Sequence, residues 1–333
     1  MRISVSGTRG KTTTVNLIHE ALIRRGVRVL SKTTGEEAVL RIGREYQRFK
    51  RPRSVLEENL GILRIPHDVA VIENQAITPY TMRVFHCMIK PRVVVVTNVR
   101  LDHTEFLGET REEIAISLVS SLNKDVSFLV SGECRENIEE ILRSGAERLG
   151  AEYIKASSYD IPGSESLGIV EEVLKLITGE RMSEEERRRI LSLIERMMSV
   201  NRSGELTWYN GAKINDPDSA EIVLNYLLSK YGKSFVISAS FRSDRRDRTS
   251  LFANFLRKCS TQDHVRAIFV SGHAAGSVAR YIGRKCIPLK EDLDSIRKLV
   301  EFSLNEGAIL ILLANRNTKF VDLLLEKLEK PHI

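Results

Sequence analysis

Apolar positions along this chain follow two rhythms. Short runs that are apolar at nearly every position, Asp68 to Ile72 (DVAVI), Arg92 to Thr97 (RVVVVT) and Val126 to Val130, alternate with longer stretches whose apolar residues recur three and four apart. An unbroken run suits a parallel strand covered on both faces, and the longer spacing suits a helix lying on such a sheet. Ile3 to Ser6, Val27 to Ser31 and Glu152 to Lys155 read as further strands. Lys11 to Ile23, Pro79 to Met88, Arg135 to Leu149, Ser166 to Ile177 and Glu184 to Met198 read as helices, the last opened by a Ser183–Glu186 capping box. After the polar SVNRSG segment the alternation restarts, with strands at Leu206 to Tyr209, Ser234 to Ser238, Ala267 to Ser271 and Ala308 to Leu313, and helices that include Leu251 to Lys258 and Asp292 to Asn305. The pattern predicts an α/β chain: a parallel-rich domain over 1–202 and a smaller, doubly wound Rossmann-like domain over 203–333.

The first thirteen residues, MRISVSGTRGKTT, carry the most specific chemistry. A strand that turns through Gly7, Thr8, Arg9 and Gly10 into a helix beginning Lys11, Thr12, Thr13 aims backbone N–H groups and the positive end of a helix dipole at one point, which is a phosphate site. Lys11 supplies a cation for the β and γ phosphates, and the Thr12 hydroxyl stands where it can ligate Mg²⁺. The common loop is GxxxxGK[ST]; with Val at position 5 this is the shorter GTRGKT form. The bland alternative is a glycine turn before a basic helix start.

Other candidates lie at strand ends. Glu73 closes the DVAVI run, at the carboxyl edge where an open α/β sheet takes its ligands, and offers a carboxylate for Mg²⁺. Beyond RVVVVT, Asn98-Val99-Arg100-Leu101-Asp102-His103 puts an amide, a carboxylate and an imidazole beside the phosphate loop. Lys32-Thr33-Thr34-Gly35 reads as a small polar turn. The basic stretch Arg41 to Arg53 reads as an anion-binding flap or a solvated loop, with Pro52 breaking any helix. Arg242, Arg245, Arg246 and Arg248, interleaved with Asp244 and Asp247, read as an ion-pair network at a helix start or as forks for substrate carboxylates or phosphate. The SGHAAG turn at Ser271 to Gly276 is a plain strand-to-helix connection.

Composition narrows the class. With 51 Lys and Arg against 44 Asp and Glu the net charge is +7, yet basic residues are not interleaved with aromatics, so nucleic acid is a poor partner. Four scattered cysteines, Cys87, Cys134, Cys259 and Cys286, lack metal-ligand spacing and read as reduced thiols. No apolar run approaches the ~20 residues that span a bilayer, which points to a cytoplasmic chain, recruited to the inner membrane face only by a partner.

GTRGKTTT, the strand ending in Glu73 and TNVRLDH together resemble the central ATPase domain of the Mur ligase superfamily. GTRGKTTTVNLIHEAL, SKTTG, DHTEFLGETREEIA, NGAKINDPDS and FRSDRRDRTSLFANFL, in that order, are similar to the ligase-subunit family of poly-γ-glutamate synthase (CapB type). The resemblance implies a P-loop ATPase domain followed by a ligase C-terminal domain, and an ATP-dependent, ADP-forming amide ligase acting through an acyl phosphate. Its substrates would be a small acidic amino acid, glutamate, and a carboxylate acceptor such as a γ-linked chain, with membrane proteins of a synthase complex as partners. It also implies roles: Gly7 to Thr13 and Asn98 for ATP, Lys11 for the transferring phosphoryl group, and Thr12 and Glu73 for the first Mg²⁺. His103 would reach a second metal, oriented by Asp102. Asp216 would bond the ribose and Arg202 the phosphates, while Thr33, Thr34, Arg242, Arg245 and Arg248 would meet the substrate.

The chain departs from that family pattern in places. Many Mur-type ligases carry a carbamylated lysine on the helix after the Asp-His pair, whereas Thr110 to Leu122 contains no lysine. A nucleotide-sugar domain is not expected ahead of a P-loop at the very start of the sequence, nor is the N-terminal membrane segment frequent in the poly-γ-glutamate subunit. The alternatives are a small-molecule or folate-type γ-glutamyl ligase, and a P-loop kinase or nucleotide switch.

Overall fold

The computed structural model describes residues 1–34, 38–49, 55–244, 246–314 and 318–329. The chain divides into two compact units, Met1–Glu195 and Arg196–Ile333.

In the first unit the described elements run β1 (Arg2–Ser6), α1 (Lys11–Ile23), β2 (Val29–Thr33), β3 (Ala38–Ile42), β4 (Glu45–Phe49), α2 (Val55–Ile62), β5 (Val69–Glu73), α3 (Pro79–Ile89), β6 (Val93–Val96), α4 (Thr104–Leu107), α5 (Arg111–Ser120), β7 (Phe128–Ser131), α6 (Glu136–Glu147), β8 (Glu152–Lys155), α7 (Glu165–Thr178) and α8 (Glu184–Met197). The strands form an eight-stranded sheet in the order β4-β3-β2-β5-β1-β6-β7-β8. It is parallel from β2 to β8, while β3 and β4 add an antiparallel hairpin at one edge.

Alternate residues of the all-apolar strands serve opposite faces. Ile3, Val5, Val71, Val95 and Val130 pack with Val15, Ile18 and Leu22 of α1 and Leu167 and Val170 of α7. Val94, Val96 and Leu129 pack with Met82 of α3, Ile114 and Leu118 of α5 and Leu142 of α6. A sheet covered on both sides leaves its carboxyl edge as the open place for a ligand. Register sets Val5 beside Glu73 and Ser6 beside Val96, so β1, β5 and β6 deliver their following loops to that edge together.

Two readings of this unit are corrected. The second strand runs over Val29–Thr33, so Lys32 and Thr33 belong to the sheet rather than to a polar turn. Lys32 is fully buried because α2 meets its ammonium with the Asn59 side-chain Oδ1 at 2.7 Å and the Glu58 carboxylate at 3.1 Å, the pairing a buried cation needs. Over its described part the basic stretch from Arg41 is paired strand rather than an open loop. It is the β3–β4 hairpin turning at Gly43, whose φ of 58° suits glycine, with Arg41 bonded to Glu20. Pro52 and Arg53 lie outside the described residues.

The second unit follows as β9 (Asn201–Ser203), β10 (Leu206–Gly211), α9 (Pro217–Tyr231), β11 (Phe235–Phe241), α10 (Arg246–Ser260), β12 (Val265–Gly272), α11 (Ala275–Ile282), β13 (Cys286–Pro288), α12 (Leu293–Asn305), β14 (Ile309–Ala314) and α13 (Lys319–Glu329). Its six-stranded sheet has the order β13-β12-β11-β14-β10-β9 and is parallel except at β9. Helices α9, α10 and α11 cover one face through Leu227, Phe252 and Val278, and α12 and α13 cover the other through Leu299 and Leu324. The SGHAAG segment is the β12–α11 connection.

Candidate active site

The loop between β1 and α1 is shaped by two glycines. Gly7 has φ 109°, and a Cβ there would stand 2.3 Å from the Thr97 hydroxyl and 2.8 Å from the Thr97 nitrogen. Gly10 is the left-handed N-cap of α1, with φ 78°; like α4, α6, α7 and α11, this helix starts without a side-chain cap, which leaves its first-turn N–H groups able to serve an anion. Lys11 folds back and donates to the carbonyl oxygens of Gly7 at 2.8 Å and Thr8 at 3.1 Å.

The next strand over holds the loop in place. Thr8 N–H donates to the Asn98 carbonyl at 3.0 Å, Arg9 N–H donates to the Asn98 side-chain oxygen at 3.0 Å, and Asn98 Nδ2 returns a bond to the Arg9 carbonyl at 3.2 Å. Arg100 N–H donates to the Thr8 hydroxyl at 2.7 Å. Val99 is gripped in turn by buried Glu133, which accepts its N–H at 2.8 Å, while Arg135 donates to its carbonyl at 3.1 Å.

Glu73 and Thr12 meet as the register implies. The Thr12 hydroxyl donates to Glu73 Oε2 at 3.0 Å, and the Thr34 N–H donates to the same oxygen at 2.9 Å. Thr34 follows β2, so three parallel strands converge on one carboxylate. Asp102, almost fully buried, pairs with the Arg9 guanidinium at 2.9 Å and lies 3.7 Å from His103 Nε2. His103 sits in the left-handed region at φ 53°, a conformation a non-glycine residue keeps only where its surroundings enforce it. Burial lowers the Lys11 pKa, with Glu73 and Asp102 both pulling it back up and Arg9 pushing it down. Lys11, Glu73, Arg9 and Asp102 therefore share one electrostatic environment.

These donors suit magnesium. Thr12 and Glu73 present hard oxygens against a helix N-terminus, and among the described residues no group of three His, Cys, Asp or Glu gathers to build an all-protein cage. A small cation held by one or two protein oxygens, water and substrate phosphates matches that set.

The remaining predicted residues are placed as follows. Thr13 is exposed on the first turn of α1 and Thr33 is buried in β2. Arg202 is exposed on β9, opposite Thr207 at the edge of the second sheet. Asp216 is the N-cap of α9, accepting from the Ser219 N–H at 2.8 Å and from the Ser219 hydroxyl at 2.5 Å, which accounts for its burial. Arg242 forms a two-pronged pair with Asp244 at 2.9 and 3.1 Å, Arg248 is buried, and Arg245 lies outside the described residues. Sequence reasoning missed Arg9 as the partner of Asp102, and it missed Glu133 and Glu165, whose links to this loop run over 34 and 67 positions of chain. Their only sequence signal is an acid just past a strand or at a helix start.

Comparison with known families agrees with this geometry in both units. Residues 5–148 match the Mur ligase middle domain, and residues 196–331 match the poly-γ-glutamate synthase CapB C-terminal domain. The first unit is thus similar to a Mur ligase middle domain and the second to the C-terminal domain of CapB. Among curated relatives it is similar to PGA synthase CapB of Bacillus subtilis (strain 168), with 24% identity over 76% of this chain and 70% of the relative. It is also similar to the capsule biosynthesis protein CapB of Bacillus anthracis, with 23% identity over 76% of this chain; there it spans only 60% of the relative's length. Solved structures with the same fold include the bifunctional folylpolyglutamate synthase/dihydrofolate synthase of Yersinia pestis complexed with AMPPNP and Mn (TM-score 0.68, 16% identity, 99% of this chain and 89% of that one). MurF of Acinetobacter baumannii is another (TM-score 0.65, 14% identity, 99% and 76%).

Proposed function

We propose that this Mur-type chain is an ATP-dependent, ADP-forming amide ligase that adds glutamate in γ linkage to a poly-γ-glutamate-like chain. The observation that carries the reading is the meeting of Lys11, the Thr12–Glu73 pair and Asp102 at the carboxyl edge of one sheet, in a chain whose second unit matches the CapB C-terminal domain. The folate-type alternative rests on shared fold alone, and the two matched domains favour a ligase over a kinase or switch.

A carboxylate is a poor electrophile and its oxygen a poor leaving group. Transfer of the ATP γ-phosphoryl group to that oxygen gives an acyl phosphate and ADP, and attack by the amine expels phosphate. In this site the Gly7–Lys11 backbone cradles the phosphates and Lys11 exchanges its bonds to the Gly7 and Thr8 carbonyls for the transferring group. Thr12 and Glu73 would hold a magnesium ion, which when bound neutralises charge spreading over the β and γ phosphates. His103, held by its left-handed backbone beside Asp102, faces the acid substrate, and Asn98 keeps the loop in shape. We further propose roles in substrate binding for Thr33, Thr34, Arg242, Arg245 and Arg248, and in ATP binding for Arg202 and Asp216. Among the described residues no helix is long and apolar enough to cross a membrane; membrane proteins of a synthase complex are the proposed partners.

The test is phosphate release by the purified chain with Mg·ATP, with glutamate and a γ-linked glutamate oligomer each alone and together. Release that needs both supports the reading. Release indifferent to them, or a stable phosphorylated product, contradicts it.

A further inference from the structure

Residues 149–195 lie between the two family matches, yet one helix from that segment reaches the nucleotide loop. We propose that Glu165, the first residue of α7, is a positioning residue for ATP binding, acting through Asn98; the inference rests on the nucleotide reading above. Glu165 Oε1 accepts from Asn98 Nδ2 at 3.1 Å and from Arg100 Nη2 at 2.9 Å. A carboxylate only accepts, so it fixes which way the Asn98 amide faces: nitrogen toward Glu165 and the Arg9 carbonyl, oxygen toward the Arg9 N–H. That pair of bonds sets the Arg9 peptide in the middle of the phosphate cradle. Arg100, the second residue on the same oxygen, reaches the loop through its own N–H to the Thr8 hydroxyl.

The helix that carries Glu165 is held to act this way. Ser166, the next residue, accepts from the Thr14 hydroxyl of α1 at 3.0 Å, and Leu167, Val170 and Val173 pack in the same core as Val15 and Ile18. A Cβ on Gly168 would stand 1.9 Å from the Ser157 carbonyl, so α7 meets the preceding loop with no slack. The charge of Glu165 at a helix N-terminus is favourable in itself, and its two bonds are charge-assisted.

Nucleotide affinity of the full chain, read by calorimetry with Mg·AMPPNP, tests this beside ATP kinetics and thermal melting. For Glu165→Ala we expect affinity to fall about tenfold and the ATP KM to rise by a similar factor, since small displacements of a positioning loop have effects of that order. The glutamate KM should barely move; Glu165→Ala melts lower because Arg100 loses this ion pair, whereas Glu165→Gln, which keeps one acceptor oxygen, should melt closer to the wild type and lose less affinity. Glu171→Ala, on the same helix but bonded to Tyr159 and Arg187, should bind nucleotide as the wild type does. Wild-type affinity in Glu165→Ala, or an equal loss in Glu171→Ala, overturns the inference while leaving the ligase reading intact. A wild-type chain that binds no nucleotide overturns the ligase reading and this one with it.

Discussion

The two units carry the same kind of edge and use it differently. Each has a parallel sheet covered by helices on both faces, with loops leaving its carboxyl end. At the first edge a lysine, two acids, an arginine and a strained histidine crowd around a loop that glycine alone can form, and α1 starts without a side-chain cap. At the second edge several polar groups pair with one another, although Asn215 Oδ1 is buried without a hydrogen-bond partner. Ser240 bonds Ser271 at 2.8 Å and Thr318 at 2.7 Å, Asp216 caps α9, and Arg242 closes on Asp244. The architecture is shared and so is backbone strain, since Ala274 at the second edge is also left-handed and a Cβ on Gly272 would stand 2.2 Å from the Phe241 carbonyl; what sets the first edge apart is its cluster of charged groups.

The largest effect should come from the first edge. Lys11→Ala should lower ligase turnover about a thousandfold or more, the cost of removing a preorganised donor from a site of developing charge, with melting little changed. Near-normal turnover in that variant would erase the contrast between the edges. Glu73→Ala should raise the magnesium concentration needed for half-maximal turnover by roughly ten- to a hundredfold, measured by titration at saturating ATP. Gly7→Ala forces a Cβ into Thr97 at a positive φ, and should destabilise the first unit by ~2 kcal/mol in denaturant titration while impairing nucleotide binding.

Smaller effects sharpen the other side. Asp216→Ala should cost about 1 kcal/mol of stability through the lost cap. A fall in ATP affinity beyond that loss would show that Asp216 also serves the ribose.

A pH titration separates fold from chemistry in the first unit. His86 is buried between the Ser4 hydroxyl at 3.0 Å and the Ser121 carbonyl at 2.9 Å, and burial pushes its pKa down from 6.5 to about 4. Its Nδ1–H donates to Ser121 and its Nε2 accepts from Ser4, so the folded protein holds it neutral. The unfolded chain takes up the proton first as pH falls below 6.5. Stability therefore declines from pH 6.5 toward about 4, by an amount on the order of 3 kcal/mol, and levels off below. His86→Gln should flatten this part of the profile in urea titrations at stepped pH.

The same comparison explains what was legible in sequence. The phosphate loop declares itself because its glycines, lysine and threonine are contiguous, and the buried strands because they are apolar at every position. Lys32 misled because a charge is normally a sign of exposure, and its partners Glu58 and Asn59 arrive from a helix some 26 positions on. The β3–β4 hairpin was masked by its arginines, although the Gly43-Arg44 gap between two alternating runs was a usable cue. The Arg9–Asp102 pair and the Glu165–Asn98 bond are products of the β1–β6 register and of α7 packing on α1, which no local pattern encodes.

Oxygen transfer offers the most direct trial of the central claim, that a carboxylate takes the γ-phosphoryl group of ATP gripped by the Gly7–Lys11 loop. The acceptor carboxyl is labelled with ¹⁸O, and the phosphate released during amide formation is examined by mass spectrometry. An acyl phosphate predicts one labelled oxygen carried into each phosphate, and no labelled phosphate with Lys11→Ala. Amide formation with unlabelled phosphate would contradict the account.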